Sequence, residues 1–281
     1  MKELYPKAAG SFDETEYWDT VAAEWHASHP QELWRQHSDA VNAGLLRRWL
    51  PAAPSNRILK TDAFDEAVGD GLYPLLASRS AATIALDIST SALYAARRRH
   101  RRLAGCAADA RVLPFAVDTF DVIVSNSTLD HFAHGTDIVS SLREMHRVLK
   151  PGGRLLLTLD NPLNPVIALR NKLPFRILNR MGLVPYYVGA TCGPRALRRI
   201  LCEVGFDLHD MTAVMHCPRV IGVQLATLLS RHAAAATQRR VLNSWMALEG
   251  LAKWPTRFLT GHFVAVLAVK PDASPVSVPC S

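Results

Sequence analysis

The residues of this 281-residue chain that could do chemistry gather just past its apolar runs. Asp87 closes "ATIALD", Asp109 sits in "CAADARVLPF", and "SNSTLDHF", which holds Asp130 and His131, follows "FDVIV". If those runs are strands of an open α/β sheet, a ligand binds beyond their carboxyl ends, at the switch point of strand order. A carboxylate at the second strand end is suited to accept hydrogen bonds from both hydroxyls of a ribose. An acid and a backbone amide at the third could read an adenine edge through its amino group and ring nitrogen. His131 is the best-placed general base, with a helix-cap or packing role as the bland alternative. Asp130 either orients that imidazole or caps the helix. His134, His209 and His216 are weaker candidates.

The first such strand end falls in "KTDAFDEAVGDG", Lys60 to Gly71, after the apolar pair Ile58-Leu59. Glycine allows positive φ and close backbone approach, which a pyrophosphate needs. Here the glycines come late and the acids Asp62, Asp65 and Glu66 come early. The stretch lacks G-x-G-x-x-G, and its acids would repel nucleotide phosphates, so a dinucleotide oxidoreductase is disfavoured.

The elements that must position these groups alternate. "RILKT", "ATIALD", a short run ending near Asp109, "FDVIVSNS" and "RLLLTLD" read as strands. Between them lie helical stretches: "STSALYAARRRHRR" with Ser89 as N-cap, and "TDIVSSLREMHRVLK" with Ile138, Leu142, Met145 and Leu149 at helical spacing. "PGG", Pro151 to Gly153, is expected to stop that helix. "GPRALRRILCEVG" reads as a helix with Pro194 in its first turn and Gly205 as its stop. "FDLHDMTAV" and "GHFVAVLAVK" read as late strands, with helices over 220–229 and 235–252 between them. Near-continuous apolar strands alternating with helices predict a doubly wound, mostly parallel α/β sheet with an antiparallel edge. Four parts are expected: an N-terminal helical cap over 1–50, an α/β core over 51–160, a lid over 161–205, and the rest of the sheet with a helical insertion over 206–281. The aromatics Tyr17, Trp18, Trp25, Trp34 and Trp49 of the first part either close over a ligand or serve as core.

The net charge of +7 favours acidic partners, such as nucleic acid, an anionic membrane surface or an anionic substrate. The basic residues are scattered, apart from "RRRHRR", Arg97 to Arg102, which reads as the solvated end of a helix. Five cysteines form no CxxC pair and no short metal spacing, so no metal is expected and a reducing compartment is. "MKELYPKAAGSFDETEYW" has no apolar h-region, and no window approaches the roughly 18 apolar residues of a spanning helix. A cytoplasmic location is expected, with peripheral membrane contact left open.

"ALDIST", "ADARVLPFAVDTFDVIVSNSTLDHF" and "LREMHRVLKPGGRLLLT" together resemble the class I S-adenosylmethionine-dependent methyltransferases, of the group that includes the ubiquinone and menaquinone methylases. The resemblance covers residues 17–160 well and the terminal strands more loosely. It implies a Rossmann-like seven-stranded sheet with the last strand antiparallel, and S-adenosyl-L-methionine as donor, leaving as S-adenosyl-L-homocysteine. It implies Asp87 on the ribose, Asp109 and Ala110 on the adenine, and Asn126 near the methionine part. The usual first motif, an acid followed by three glycines, is missing. In one register Lys60 stands for the acid, and Asp62, Phe64 and Glu66 for the glycines. In the other Asp65 is the acid, Ala67 replaces the first glycine, and Gly69 and Gly71 follow. An adenosyl donor carries a sulfonium and an ammonium rather than phosphates, so Asp62, Asp65 or Glu66 could meet its amino group directly. The candidate donor set is Thr61, Asp62, Glu66, Gly69, Gly71, Asp87, Ile88, Asp109, Ala110 and Asn126, with His131 as base.

Residues 161–187 sit where this family often inserts an acceptor lid. There Val166, Ile167, Leu169, Leu173, Phe175, Ile177 and Leu178 lie among Arg170, Lys172, Arg176 and Arg180. Such a basic amphipathic segment either covers a lipophilic substrate, rests on a membrane, or packs as an ordinary helix. The expected acceptor is small and lipophilic, or a thiol, methylated at oxygen, sulfur or carbon. No Asn-Pro-Pro-Tyr follows the fourth strand, which weighs against nucleobase amines. A nucleic-acid methyltransferase and a non-catalytic interaction protein with a lost donor loop are the alternatives.

Overall fold

The computed structural model describes residues 14–28, 32–181, 184 and 186–272, with backbone alone over 24–28. The Trp25 side chain and Cys280 therefore lie outside the described residues. The chain opens with α1 (Glu14–Ser28) and α2 (Glu32–Trp49), then enters β1 (Ser55–Lys60). Two short helices follow, α3 (Phe64–Val68) and α4 (Tyr73–Ala77), before β2 (Ser80–Asp87). Next come α5 (Thr90–Arg99), β3 (Ala104–Ala107), β4 (Phe120–Asn126), α6 (Gly135–Val148) and β5 (Leu149–Asp160). The stretch expected to form a lid contributes α7 (Pro165–Lys172) and α8 (Phe175–Arg180), and α9 (Pro194–Val204) leads into β6 (Asp207–Val214). The chain closes with α10 (Arg219–His232), α11 (Ala235–Leu248), α12 (Arg257–Thr260) and β7 (Phe263–Val269).

The seven strands form one sheet in the order β3-β2-β1-β4-β5-β7-β6. β1 to β5 are mutually parallel, and β7 runs antiparallel to both β5 and β6. Strand order reverses between β1 and β4, which places a crevice at their carboxyl ends. Because strand side chains alternate between faces, each run supplies two cores. Ile58, Val122, Val124, Leu156 and Leu267 face α2, α10 and α11. Leu59, Ile123, Leu155, Leu157 and Val266 face α6 and α9. This two-sided burial is why the strands read as continuous apolar runs rather than alternating ones.

Local signals act where they were read. Ser89 Oγ accepts from Ala92 N and caps α5. Pro194 occupies the first turn of α9, and Gly205 ends it in the left-handed conformation at φ 106°. The Pro151–Gly153 stretch acts differently from expectation. α6 already stops at Val148, and Leu149 is extended and opens β5. Phe120 pairs with Leu149 and Val122 with Arg154, so Lys150–Gly153 bulges out of the ladder. Gly152 takes φ 71° there. The stretch read as one helix over 235–252 is α11 followed by a 3-10 turn over Glu249–Lys253. Among the described residues, no helix is long and apolar enough to cross a membrane.

Candidate active site

A cleft of about 280 Å³ opens at the carboxyl ends of β1, β2 and β4. Its walls bring together Thr61, Asp62, Asp87, Ile88, Asp109, Ala110, Asn126 and His131. Glu66, Gly69 and Gly71, also expected in the donor set, do not line it.

The first strand end explains the difference. β1 ends at Lys60, and Asp65 and Glu66 already belong to α3, so the register with Lys60 in the acid's place is the one the backbone adopts. Lys60 is 1% exposed, and its Nζ lies 2.7 Å from Asp62 Oδ1 and 2.9 Å from Glu66 Oε2. The carboxylates hold the ammonium charged against burial. Glu66 is fully buried, and its Oε1 accepts from Leu72 N at 2.9 Å. Gly71, at φ 55°, wraps over that carboxylate, and a Cβ there would stand 2.6 Å from Glu66 Oε1. A Cβ on Gly69 would stand 2.7 Å from Arg35 Cδ. The late glycines thus make room for a buried ion pair and an arginine stem. The loop that a glycine-rich turn would form is held instead by Lys60. Asp62 is left with Oδ2 at the cleft, where Thr128 Oγ1 donates to it at 3.4 Å.

Asp87 sits at the tip of β2. Its Oδ1 accepts from Ser89 N and its Oδ2 from Ala63 N, each at 2.9 Å. One lone-pair site per oxygen remains. Burial pushes its pKa up to about 6, against the two backbone donors, which lower it. Asp109 lies beyond β3, but its carboxylate is taken by Arg111. The Arg111 backbone N donates to Oδ1 at 2.7 Å, and Nε reaches both oxygens, at 3.0 and 2.8 Å. Arg111 also reaches Glu14 on α1, so Asp109 lines the cleft as part of a Glu14–Arg111–Asp109 network. The Ala110 N–H makes no hydrogen bond to the described residues. Asn126 Oδ1 accepts from Thr158 Oγ1 at 2.9 Å, which leaves the amide NH₂ as donor.

Beyond β4, Ser127 takes φ 53° and Met215, across the cleft, φ 62°. Such positive φ values are uncommon for residues with a Cβ and cluster at functional sites. The turn carries His131, whose Nδ1 lies 3.0 Å from the Tyr187 carbonyl oxygen. A carbonyl can only accept, so Nδ1 bears the hydrogen and Nε2 holds the basic lone pair. Asp130 Oδ1 lies 3.8 Å from Nε2. Asp130 is buried, and burial together with the Asp160 carboxylate raises its pKa; Ser127 Oγ and Asp160 N donate to its other oxygen. Asp160 in turn is held well below the usual carboxylate range by His262 and Arg170, against its burial. His216, weighed as a further base, is buried and donates or accepts only within the C-terminal half.

An aromatic wall encloses the imidazole. Trp18 lies 4.8 Å and Tyr186 5.4 Å from its ring, both edge-on, and Phe64 meets Tyr186 at 6.5 Å. The segment after α8 returns across this turn: Gly189 N donates to Asp130 O at 2.7 Å and Ala190 N to Phe132 O at 2.6 Å. Tyr17 Oη accepts from Tyr187 N at 2.7 Å, and Ser89 Oγ donates to Asp19, so α1 is pinned across the cleft between the Tyr187 segment and the start of α5. Burial pushes the Tyr17 phenol up to about 12. Sequence reasoning named Tyr17 and Trp18 only as cap or core, and did not single out Tyr186, Arg35 or Arg219 at all. Only the lid position hinted at Tyr186.

Comparison with known proteins bears on the fold and the family. Residues 64–157 match a methyltransferase domain family; the match begins at Phe64, just past the Lys60 strand end. The chain is 34% identical to a demethylmenaquinone methyltransferase of Beutenbergia cavernae over 128 residues, 43% of this chain and 50% of that protein. It is 32% identical to a ubiquinone/menaquinone biosynthesis C-methyltransferase of Coxiella burnetii over 160 residues, 52% of this chain and 62% of that protein. The aligned part thus spans about half of these relatives. In fold, the chain is similar to geranyl diphosphate C-methyltransferase from Streptomyces coelicolor A3(2), solved with Mg²⁺, geranyl diphosphate and S-adenosyl-L-homocysteine. The TM-score is 0.55 with 15% identity, covering 93% of this chain and 86% of that one. The fold is the Rossmann-like fold of class I methyltransferases, residues 64–157 match the methyltransferase domain family, and the chain is similar over about half its length to ubiquinone and menaquinone methyltransferases.

Proposed function

We propose that this chain is an S-adenosylmethionine-dependent methyltransferase acting on a small, largely apolar acceptor at oxygen, sulfur or carbon. The observation that carries the reading is Asp87: a strand-tip carboxylate at the switch point, fixed by two backbone amides, with an acceptor site left on each oxygen. That is the pair of acceptors a ribose diol needs.

The residues present fit the donor. Asp87 would hold the ribose, and the Ala110 N–H would meet a ring nitrogen of the adenine. Asp62, fixed from behind by Lys60, would meet the ammonium of the methionine part, and the Asn126 amide its carboxylate. Ile88 lines the same wall. The donor supplies an electrophilic methyl carbon on a sulfonium, which needs no metal. His131 Nε2 is the base for an acceptor O–H, S–H or C–H, and the fixed tautomer keeps its lone pair ready. Asp130 stabilises the imidazolium that results. Trp18, Phe64 and Tyr186 exclude water from the nucleophile.

The lipophilic reading of the acceptor draws support from the lid. Val166, Leu169, Leu173 and Ile177 stay exposed on α7, α8 and their junction. The same surface supports peripheral membrane contact of a cytoplasmic protein. The nucleic-acid alternative has less behind it, because Arg97–Arg102 lies at the far end of α5 from the cleft.

The test is transfer of a labelled methyl group to a panel of phenols, quinols, thiols and organic acids. Wild-type protein is expected to label at least one class. His131→Ala is expected to lower turnover about 100-fold or more while leaving donor affinity unchanged. No transfer to any class, with no donor binding, would refute the reading. Unchanged turnover in His131→Ala would return His131 to a packing role.

A further inference from the structure

The acceptor end of the cleft carries a polar face that the methyl-transfer reading does not use. Arg35, Ser38 and Asn42 all line it from α2. Their spacing of three and then four residues puts them on one helix face. Arg219, the first residue of α10, lines the cleft as well. Trp34, Phe64, Tyr186, Met215 and Phe263 add an apolar wall, and the acids Asp62 and Asp65 line the cleft too.

These groups are short of partners. Asn42 is 3% exposed, and its side-chain amide makes no hydrogen bond to the described residues; its NH₂ is the donor an anion can use, whereas its Oδ1 only accepts. A buried amide left unsatisfied costs about 1–3 kcal/mol. Arg219 donates to Tyr186 Oη at 2.9 Å, and its guanidinium stands 5.8 Å from that ring. That contact uses one N–H of the five a guanidinium offers. Among the described residues, neither Arg219 nor Arg35 forms an ion pair with a carboxylate. The other cleft acids are already engaged: Asp109 and Glu14 with Arg111, Asp62 with Lys60, and Asp87 with backbone amides. Asp65 alone has no hydrogen bond or ion pair through its side chain. It feels both arginines through space, while burial raises its pKa and favours its neutral form. Two guanidinium groups, a hydroxyl and a buried amide around an apolar pocket make a receptor for a compact organic anion.

We propose that the acceptor is an organic anion with an apolar body, its carboxylate or phosphate held by Arg35, Ser38, Asn42 and Arg219. The inference rests on the methyl-transfer reading for the word acceptor, and on the cleft alone for the anion. The anionic group anchors on α2 and α10, and the body lies along Phe64, Tyr186 and Met215, toward His131. Charge thus sets which apolar molecules enter.

The test is a binding titration of the full chain, with and without S-adenosyl-L-homocysteine, followed by tryptophan fluorescence. The probes are 2-naphthoate, 2-naphthyl phosphate and the neutral 2-naphthalenemethanol. At least one anion is expected to bind about tenfold or more tightly than the alcohol, as charge-assisted hydrogen bonds of this kind allow. Which anion wins separates a carboxylate from a phosphate acceptor. R219M and R35M should each erase that preference, R219K should keep part of it, and S-adenosyl-L-homocysteine affinity should not change. N42L gives an independent reading should either arginine variant fail to fold, and should also reduce the preference. Equal binding of the three probes, or an unchanged preference in the folded variants, would overturn the proposal; donor binding in that same experiment would leave methyl transfer standing. An arginine-dependent anion preference in a protein that binds no donor would sustain the anion site and overturn methyl transfer.

Discussion

Asp87, proposed to hold the donor's ribose, has a pKa in an accessible range. Burial holds its pKa at about 6, above the ordinary carboxylate value. Only the ionised form accepts from both ribose hydroxyls, so donor affinity rises with pH through about 6 and is flat above it. At pH 5 the affinity for S-adenosyl-L-homocysteine should be about tenfold below that at pH 7.5. Asp87→Asn should lose the affinity and the pH dependence together. A flat profile between pH 5 and 7.5 would remove Asp87 from the ribose. Lys60 makes a different prediction, because it acts on stability through a buried pair. Lys60→Met leaves Glu66 buried without its cation, at a cost of about 3–5 kcal/mol by denaturant unfolding. Pairing it with Glu66→Leu should recover most of that loss. A single-variant loss no larger than that of a surface substitution would contradict the pairing. The sequence showed that the stretch is rich in acids and that its glycines are late. It did not show that Glu66 folds beneath the loop, since nothing in residue order tells a buried acid from a cleft acid. The Arg111 contact of Asp109 was not legible for the same reason: Arg111 stands two residues away, and only the turn between them brings its guanidinium back onto the carboxylate.

At the scale of elements, the site depends on the segment that returns from the lid. Its carbonyl at Tyr187 fixes the His131 tautomer, and Tyr186 supports both the imidazole and Arg219. Gly189 lets this segment lie flat on the turn after β4, where a Cβ would stand 2.0 Å from Phe132 O, a backbone atom that cannot give way. Gly189→Ala should therefore push the segment off the turn. Turnover is expected to fall about tenfold or more as the near-attack geometry loosens, while S-adenosyl-L-homocysteine affinity changes little. Equal losses in both would mean that the segment also builds the donor pocket. The regular elements were legible because their signals are local: β-branched runs, the Ser89 cap, and Pro194 and Gly205 bracketing α9. The lid return was not, because its role comes from hydrogen bonds to Asp130 and Phe132, far away in sequence. The Pro151–Gly153 stretch was read as a helix stop because such residues end helices, whereas here they bulge a strand that has already begun.

Across the whole molecule, the arginines fall into two groups. Arg97, Arg98 and Arg99 end α5, which starts at the cleft beside Asp87 and runs about 15 Å away from it at 1.5 Å per residue. The most basic stretch of the chain is thus a solvated helix end, and the net charge of +7 says little about the ligand. The arginines proposed to hold the acceptor, Arg35 and Arg219, lie far apart in sequence and line one cleft because α2 and α10 pack on the same face of the sheet. Fold class was readable from the alternation of strands and helices. The acceptor wall, assembled from α1, α2, α3, the lid and α10, was not. Methyl transfer requires that the cleft be an adenosyl donor site despite its missing glycines. The most direct measurement is calorimetric titration with S-adenosyl-L-methionine and S-adenosyl-L-homocysteine, with NADH as control. Micromolar binding of both adenosyl ligands and none of NADH is the expected result; no binding of either, or binding of NADH alone, would contradict it.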